Sequence, residues 1–233
     1  MLPIKDDAPR LTVPFVNYFL IALNIAIYFF EWSLEISGGP RARQGFELQF
    51  AFVPRYLGAW MSGLLPATAA IIPFFSSMFL HASWPHVLLN MWGLAIFGDN
   101  VEDRLGHFLY LGFYILCGLG AAVTHLIFNF NSPVPTVGAS GAIAGVMGAY
   151  LLLYPRARVL TWWGFFIVWL PAWLVLGYWF ILNILSGAAS ALTVASAHIG
   201  GVAFWAHVGG FVTGALLIKL LPTRKNVYAF EDY

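Results

Sequence analysis

Three short stretches of this chain hold residue types able to do chemistry. They are Gly138-Ala139-Ser140-Gly141, His207-Val208-Gly209-Gly210, and the pair His86 and Asn90 in "HVLLN". A serine hydroxyl beside a neutral imidazole is a nucleophile with its base. Amide and imidazole N–H groups can hold the oxyanion that such an attack creates. Ser140 also stands where a polar loop turns into an apolar segment. Unpaired backbone N–H groups and the positive end of a helix dipole would then surround it. Each stretch has a plainer reading. A glycine-flanked serine packs well between membrane helices, His207 precedes two glycines in the same way, and His86 and Asn90 at i, i+4 can bond each other. The strand–turn–helix elbow of soluble hydrolases does not fit, because Ala142 stands where that turn needs glycine.

The elements that must position these groups follow from composition. The 233 residues are 61% hydrophobic, 18% aromatic and 9% charged, against about a quarter charged in soluble domains. So few ionic groups cannot cover a water-facing surface, so the chain is expected to be an integral membrane protein. Its basic residues form no run that could follow a phosphate backbone, which argues against nucleic acid as a partner. The single cysteine, Cys117, excludes an internal disulfide.

Six segments are long enough to cross the bilayer: Val13–Trp32, Trp84–Arg104, Gly106–Phe128, Gly138–Tyr154, Val159–Leu185 and His198–Leu221. Pro171 is expected to kink the fifth. The connection 33–83 is expected to lie on the bilayer rather than cross it. The first segment is too long for a signal peptide and lacks a cleavage site. With the N-terminus inside, Lys5, Arg10, Arg104, Arg156, Arg158, Lys219, Arg224 and Lys225 are cytoplasmic, and only Arg41, Arg43 and Arg55 lie outside. That asymmetry predicts two cytoplasmic termini, and the first twelve residues, unlike an Arg-rich organellar presequence, point most simply to a bacterial plasma membrane. Residues 1–12 are then a cytoplasmic segment, 13–221 the membrane domain, and 222–233 a cytoplasmic tail.

Depth links the three stretches. At about 1.5 Å of rise per residue, Ser140 lies roughly 24 Å above Arg156, His207 roughly 18 Å above Lys219, and Asn90 roughly 21 Å above Arg104. His86 is one turn above Asn90. Polar groups within a membrane are costly and usually functional, and here they share one layer in the outer half of the bilayer. Gly141, Gly145 and Gly148 on the fourth span, and Gly210 and Gly214 on the sixth, form seams that let helices approach closely. Asp99 and Glu102 lie more than two turns deeper, so no acid is placed to orient His207. The pattern reads as a Ser–His dyad. A metal site using His81, His86 and His198 is a weaker alternative, and His125 reads as structural. A transporter would be expected to show repeats or paired broken helices, which are not evident.

Together these residues resemble the rhomboid intramembrane serine proteases. "GASG" (138–141) is similar to that family's nucleophile motif, "HVLLN" (86–90) to its second-span His-x-x-x-Asn, and "AHVGGFVTG" (206–214) to its sixth-span histidine with the following glycines. "VEDRLG" (101–106) is similar to the acidic–basic motif closing the second span, and His81 matches a histidine ahead of it. The likeness covers about residues 70 to 220. It implies an all-α, six-helix membrane bundle that hydrolyses peptide bonds with no metal or cofactor. Ser140 would be the nucleophile and His207 the general base and acid. His86, Asn90 and the Ser140 backbone N–H would form the oxyanion hole, and Gly138 would keep the loop close to substrate. The implied partners are the lipid bilayer and single-span transmembrane substrates, cut near the outer surface. The loop 186–201 would be a cap and the fifth span a lateral gate. Two departures stand out. "AAIIPFF" (69–75) replaces a Trp-Arg pair, and Ala144 replaces an aromatic that would stack on the histidine, leaving Tyr150 or Trp205 as the nearby rings. A catalytically silent relative that binds membrane clients is the other reading. Such relatives usually lack the serine or histidine, and this chain has both.

Overall fold

The computed structural model describes residues 1–192 and 203–224. The protein is mostly helical and is a multi-pass integral membrane protein. Among the described residues, α1 (Phe15–Phe50), α6 (His107–Asn129) and α8 (Ala172–Leu192) are long and apolar enough to cross a membrane. The helices α7 (Ser140–Leu153) and α9 (Phe204–Leu220) are apolar but shorter. A further helix, α5 (Trp84–Leu105), runs 22 residues and gathers Asp99, Glu102, Asp103 and Arg104 at its end.

Local chemistry sets the helix ends. Ser83 caps α5, its hydroxyl accepting the His86 N–H at 3.3 Å, and Pro85 sits in the first turn. The start of α1 has no side-chain cap of its own. Glu102 of α5 supplies one instead, accepting the N–H groups of Val16 at 3.0 Å and Asn17 at 2.7 Å. Asp103 accepts from Leu11 N and from both donors of Thr12, and Asp99 pairs with Arg10 at 3.0 Å. The acidic stretch of "VEDRLG" is thus the clamp that ties the chain before α1 to the foot of α5.

Beyond the expected span, α1 continues as helix, broken at Gly39 (φ 75°) and resumed at Pro40. Only glycine adopts that backbone readily. The resumed half is pinned by Arg43, which pairs with Glu35 at 2.8 Å and Glu47 at 2.7 Å and donates to the His81 carbonyl at 2.9 Å. The rest of the outer connection folds as short helices, α2 (Arg55–Met61), α3 (Ala67–Ile71) and α4 (Pro73–Ser76), and a 3-10 turn, Ser77–Phe79.

The most enclosed element is α7, every residue from Gly141 to Tyr150 being buried. Its neighbours are α5, α6 and α9. Along the α7–α9 seam the backbones touch. A Cβ on Gly210 would overlap the carbonyl of Gly141, one on Gly214 the carbonyl of Gly145, and one on Gly148 the carbonyl of Phe211. The expected small-residue seams are therefore present, and they face each other.

The fifth span differs from expectation. Its helix begins only at Ala172, because residues 158–171 form a β-hairpin, β2 (Arg158–Trp163) and β3 (Phe166–Pro171). With β1 (Leu2–Asp6) these strands make an antiparallel sheet in the order β1-β2-β3. Thr161 pairs with both Pro3 and Val168. The cause is local: β-branched and aromatic residues flank Gly164, whose φ of 63° suits the first position of a two-residue hairpin turn. Pro171 does not kink a helix. It ends β3 one residue before α8 begins, where a missing N–H costs nothing.

Candidate active site

Ser140 is the first residue of α7. The loop before it is fastened from outside the bundle. Phe52 and Thr136 exchange backbone hydrogen bonds of 3.0 and 2.8 Å, and Gly138 N donates to the Ser77 carbonyl at 2.9 Å. Gly138 holds φ 125°, and a Cβ there would lie 2.7 Å from Nε2 of His86. Both backbone and space therefore require glycine.

His207 descends from α9 and is buried. Its Nε2 lies 2.8 Å from Oγ of Ser140. The hydroxyl and imidazole expected to meet from separate helices do meet. Asn90 is buried, and its Nδ2 has no hydrogen-bond partner among the described atoms. Ser140, His207, His86, Asn90 and Gly138 all line a single cavity of about 780 Å³. The Asn90 amide N–H is therefore available to an acceptor entering this cavity.

One side of His207 was not anticipated from sequence. Its Nδ1 lies 2.7 Å from Oδ1 of Asn183 on α8. The Asn183 Nδ2 donates to the Trp179 carbonyl at 2.8 Å. The Trp179 ring lies against the imidazole, centroids 5.5 Å apart and planes 33° apart. It takes the place expected of Tyr150 or Trp205. Tyr150 instead donates its hydroxyl to Asp6, and Trp205 stacks on Phe128 at 3.8 Å. Counting could not have found Asn183: a span read from Val159 sets it roughly 36 Å up, and only the hairpin, which delays α8 to Ala172, brings it to the level of His207.

The remaining histidines separate. His81 is fully buried and packs edge-on against His86 at 5.1 Å. His125 pairs with Thr136 at 3.2 Å and so braces the loop before Ser140. His198, and the part of the cap 186–201 beyond Leu192, lie outside the described residues, and 186–192 continue α8. Among the described residues, no three His, Cys, Asp or Glu side chains converge as a metal group. Asp99 and Glu102, expected deeper than the site, hold the opposite end of α5.

Comparison with known proteins gives concordant results. The family model for the Rhomboid domain matches residues 68–224, more than half of the chain. The chain is similar to Rhomboid protease GluP of Bacillus subtilis, 31% identical over 209 residues, covering 88% of this chain and 35% of that protein. It is similar to RHOMBOID-like protein 6, mitochondrial, of Arabidopsis thaliana, 34% identical over 160 residues, 67% of this chain and 46% of the relative. Rhomboid-like protein 11, chloroplastic, of the same plant is 25% identical over 225 residues, 92% of this chain and 68% of the relative. The chain thus spans less than half the length of the first and second of these relatives.

Proposed function

The chain belongs to the rhomboid family, and from that premise we propose that it is an intramembrane serine endopeptidase cleaving single-span transmembrane proteins. The observation that carries this reading is the 2.8 Å approach of Ser140 Oγ to His207 Nε2 on the wall of a cavity. In the proposed reaction Ser140 Oγ attacks the scissile carbonyl while Nε2 takes its proton. The carbonyl oxygen becomes an oxyanion beside Asn90 Nδ2, the His86 ring and the Ser140 backbone N–H. His207 then protonates the departing amine, leaving an acyl-enzyme. A water molecule, deprotonated by the same nitrogen, releases the acyl group and restores the hydroxyl. No metal or cofactor enters these steps.

The substrate class follows from physics as well as from the family. A helical peptide keeps its carbonyls hydrogen-bonded within the bilayer, so a segment must unwind before Ser140 can reach it. An unwound segment would have to enter the cavity that Ser140 and His207 line, and the lysine and arginine distribution favours an orientation with that serine in the outer half of the bilayer. The same distribution supports cytoplasmic termini flanking a membrane domain over 13–221, and the likeness to a Bacillus subtilis protein supports a bacterial plasma membrane.

The test is cleavage of a single-span substrate reconstituted in liposomes, comparing wild type with Ser140→Ala and His207→Ala. Wild type alone should cut, and wild type alone should take up a fluorophosphonate probe. Equal cleavage by all three would end the protease reading. A chain that binds such substrates without cutting them would be the silent client-binding relative instead.

A further inference from the structure

We infer that Asn183 is a positioning residue that sets the tautomer of His207, an inference that rests on the protease reading above. The amide of Asn183 can face the imidazole with only one end. Its Nδ2 donates to the Trp179 carbonyl at 2.8 Å. Reversing the amide would set Oδ1 against that carbonyl, two acceptors with no proton between them, and would strand the donor. Oδ1 therefore faces His207 Nδ1 at 2.7 Å. An acceptor there requires the proton on Nδ1. Nε2 then presents its lone pair to Ser140 Oγ at 2.8 Å. That is the form of the ring able to take the serine proton. The other tautomer would place an N–H against the hydroxyl and could not act as a base.

The chain of contacts runs from the Trp179 carbonyl through Asn183 and His207 to Ser140. Asn183 and His207 are both buried, so water does not substitute for the amide at Nδ1. An amide suits this position better than a carboxylate would, because a neutral acceptor orients the ring without adding a second buried charge. Trp179, one turn earlier on α8, supports the ring face. One helix thus provides both the acceptor at the ring edge and the surface against its plane. Asn183 touches no reacting atom and acts only through His207.

The test compares Asn183→Leu, which keeps similar volume without an acceptor, with Asn183→Asp, which keeps an acceptor. Asn183→Leu should lower kcat by about tenfold to a hundredfold while KM changes by no more than about twofold. Asn183→Asp should restore a large share of that loss. 15N NMR of histidine-labelled protein, with His207 assigned through His207→Ala, should show Nδ1 protonated and Nε2 bare in wild type. In Asn183→Leu the two signals should move toward a tautomer mixture. Equal kcat for wild type and Asn183→Leu, equal losses in the Leu and Asp variants, or a wild-type ring protonated at Nε2 would each overturn the inference. If wild type itself neither cuts nor takes the fluorophosphonate probe, the protease reading fails, and the NMR tautomer still decides the role of Asn183 at the ring.

Discussion

The carbonyl of Gly141 rests where a Cβ on Gly210 would begin, and three residues before Gly210 on the same helix His207 reaches back to Ser140, the neighbour of Gly141. Contact between the two backbones and contact between the Ser140 and His207 side chains are therefore one geometry. Gly210→Val should push α9 from α7. A misplacement of about 1 Å costs on the order of a hundredfold in rate, and overpacking costs about 1–3 kcal/mol of stability. Cleavage assays and thermal unfolding in the same detergent would check both, and a variant with wild-type turnover would contradict the coupling.

Asn90 offers a prediction in which stability and activity part company. Its Nδ2 is buried with no partner among the described residues, and a donor left unpaired on burial costs about 1–3 kcal/mol. Asn90→Leu should remove that burden and leave the melting temperature unchanged or higher. It should also remove an oxyanion donor and cut kcat by about a hundredfold or more. A variant that melts early and loses activity in proportion would mark Asn90 as structural.

Glu102 is the counterpart far from the chemistry. It is fully buried and caps α1 from α5. Glu102→Ala should cost about 1–3 kcal/mol by stranding the Val16 and Asn17 N–H groups. Fluorophosphonate labelling of the fraction that stays folded should be unchanged, since Ser140 and His207 lie at the other end of the bundle. Loss of labelling in well-folded protein would refute this division.

Asp6 gives a pH dependence. Burial raises its carboxyl from 3.8 to about 6, against the lowering effect of the Tyr150 hydroxyl. At neutral pH the folded protein holds a poorly solvated charge there. As pH falls through about 6 the folded state gains a proton that the unfolded chain does not take until near 3.8, so this site's contribution to stability rises across that window. Melting temperatures measured between those limits should show Asp6→Asn flattening the rise. An identical profile in both proteins would exclude Asp6 as its source.

Much of the site was legible because membrane helices convert sequence distance into depth. Ser140, His207, His86 and Asn90 could be placed in one layer by counting residues. The glycines at 141, 145, 210 and 214 announced which helices touch. What failed was the reading of 158–171. Both faces of that hairpin are apolar, with Trp162, Trp163, Phe165, Phe166, Ile167 and Trp169 exposed, so hydropathy could not separate it from a spanning helix. Gly164 and Pro171 were the available clues, and each has a different meaning in a strand than in a helix. Asn183 was missed for another reason. A lone asparagine belongs to no motif, and starting the span at Val159 instead of Ala172 set it far above the depth of His207. The cap on α1 was invisible because Glu102 lies 85 residues from Asn17.

Main-chain atoms have no rotamers. Because glycine carbonyls hold α7 and α9 apart, the spacing of Ser140 and His207 is set like the jaws of a fixed-gap tool rather than a spring. Exchanges among Leu89, Trp92 and Leu182, which line the cavity, can reshape what enters it without altering that gap. On the proposed reading, selectivity for one substrate over another is therefore free to be re-engineered while the chemical step keeps its intrinsic speed.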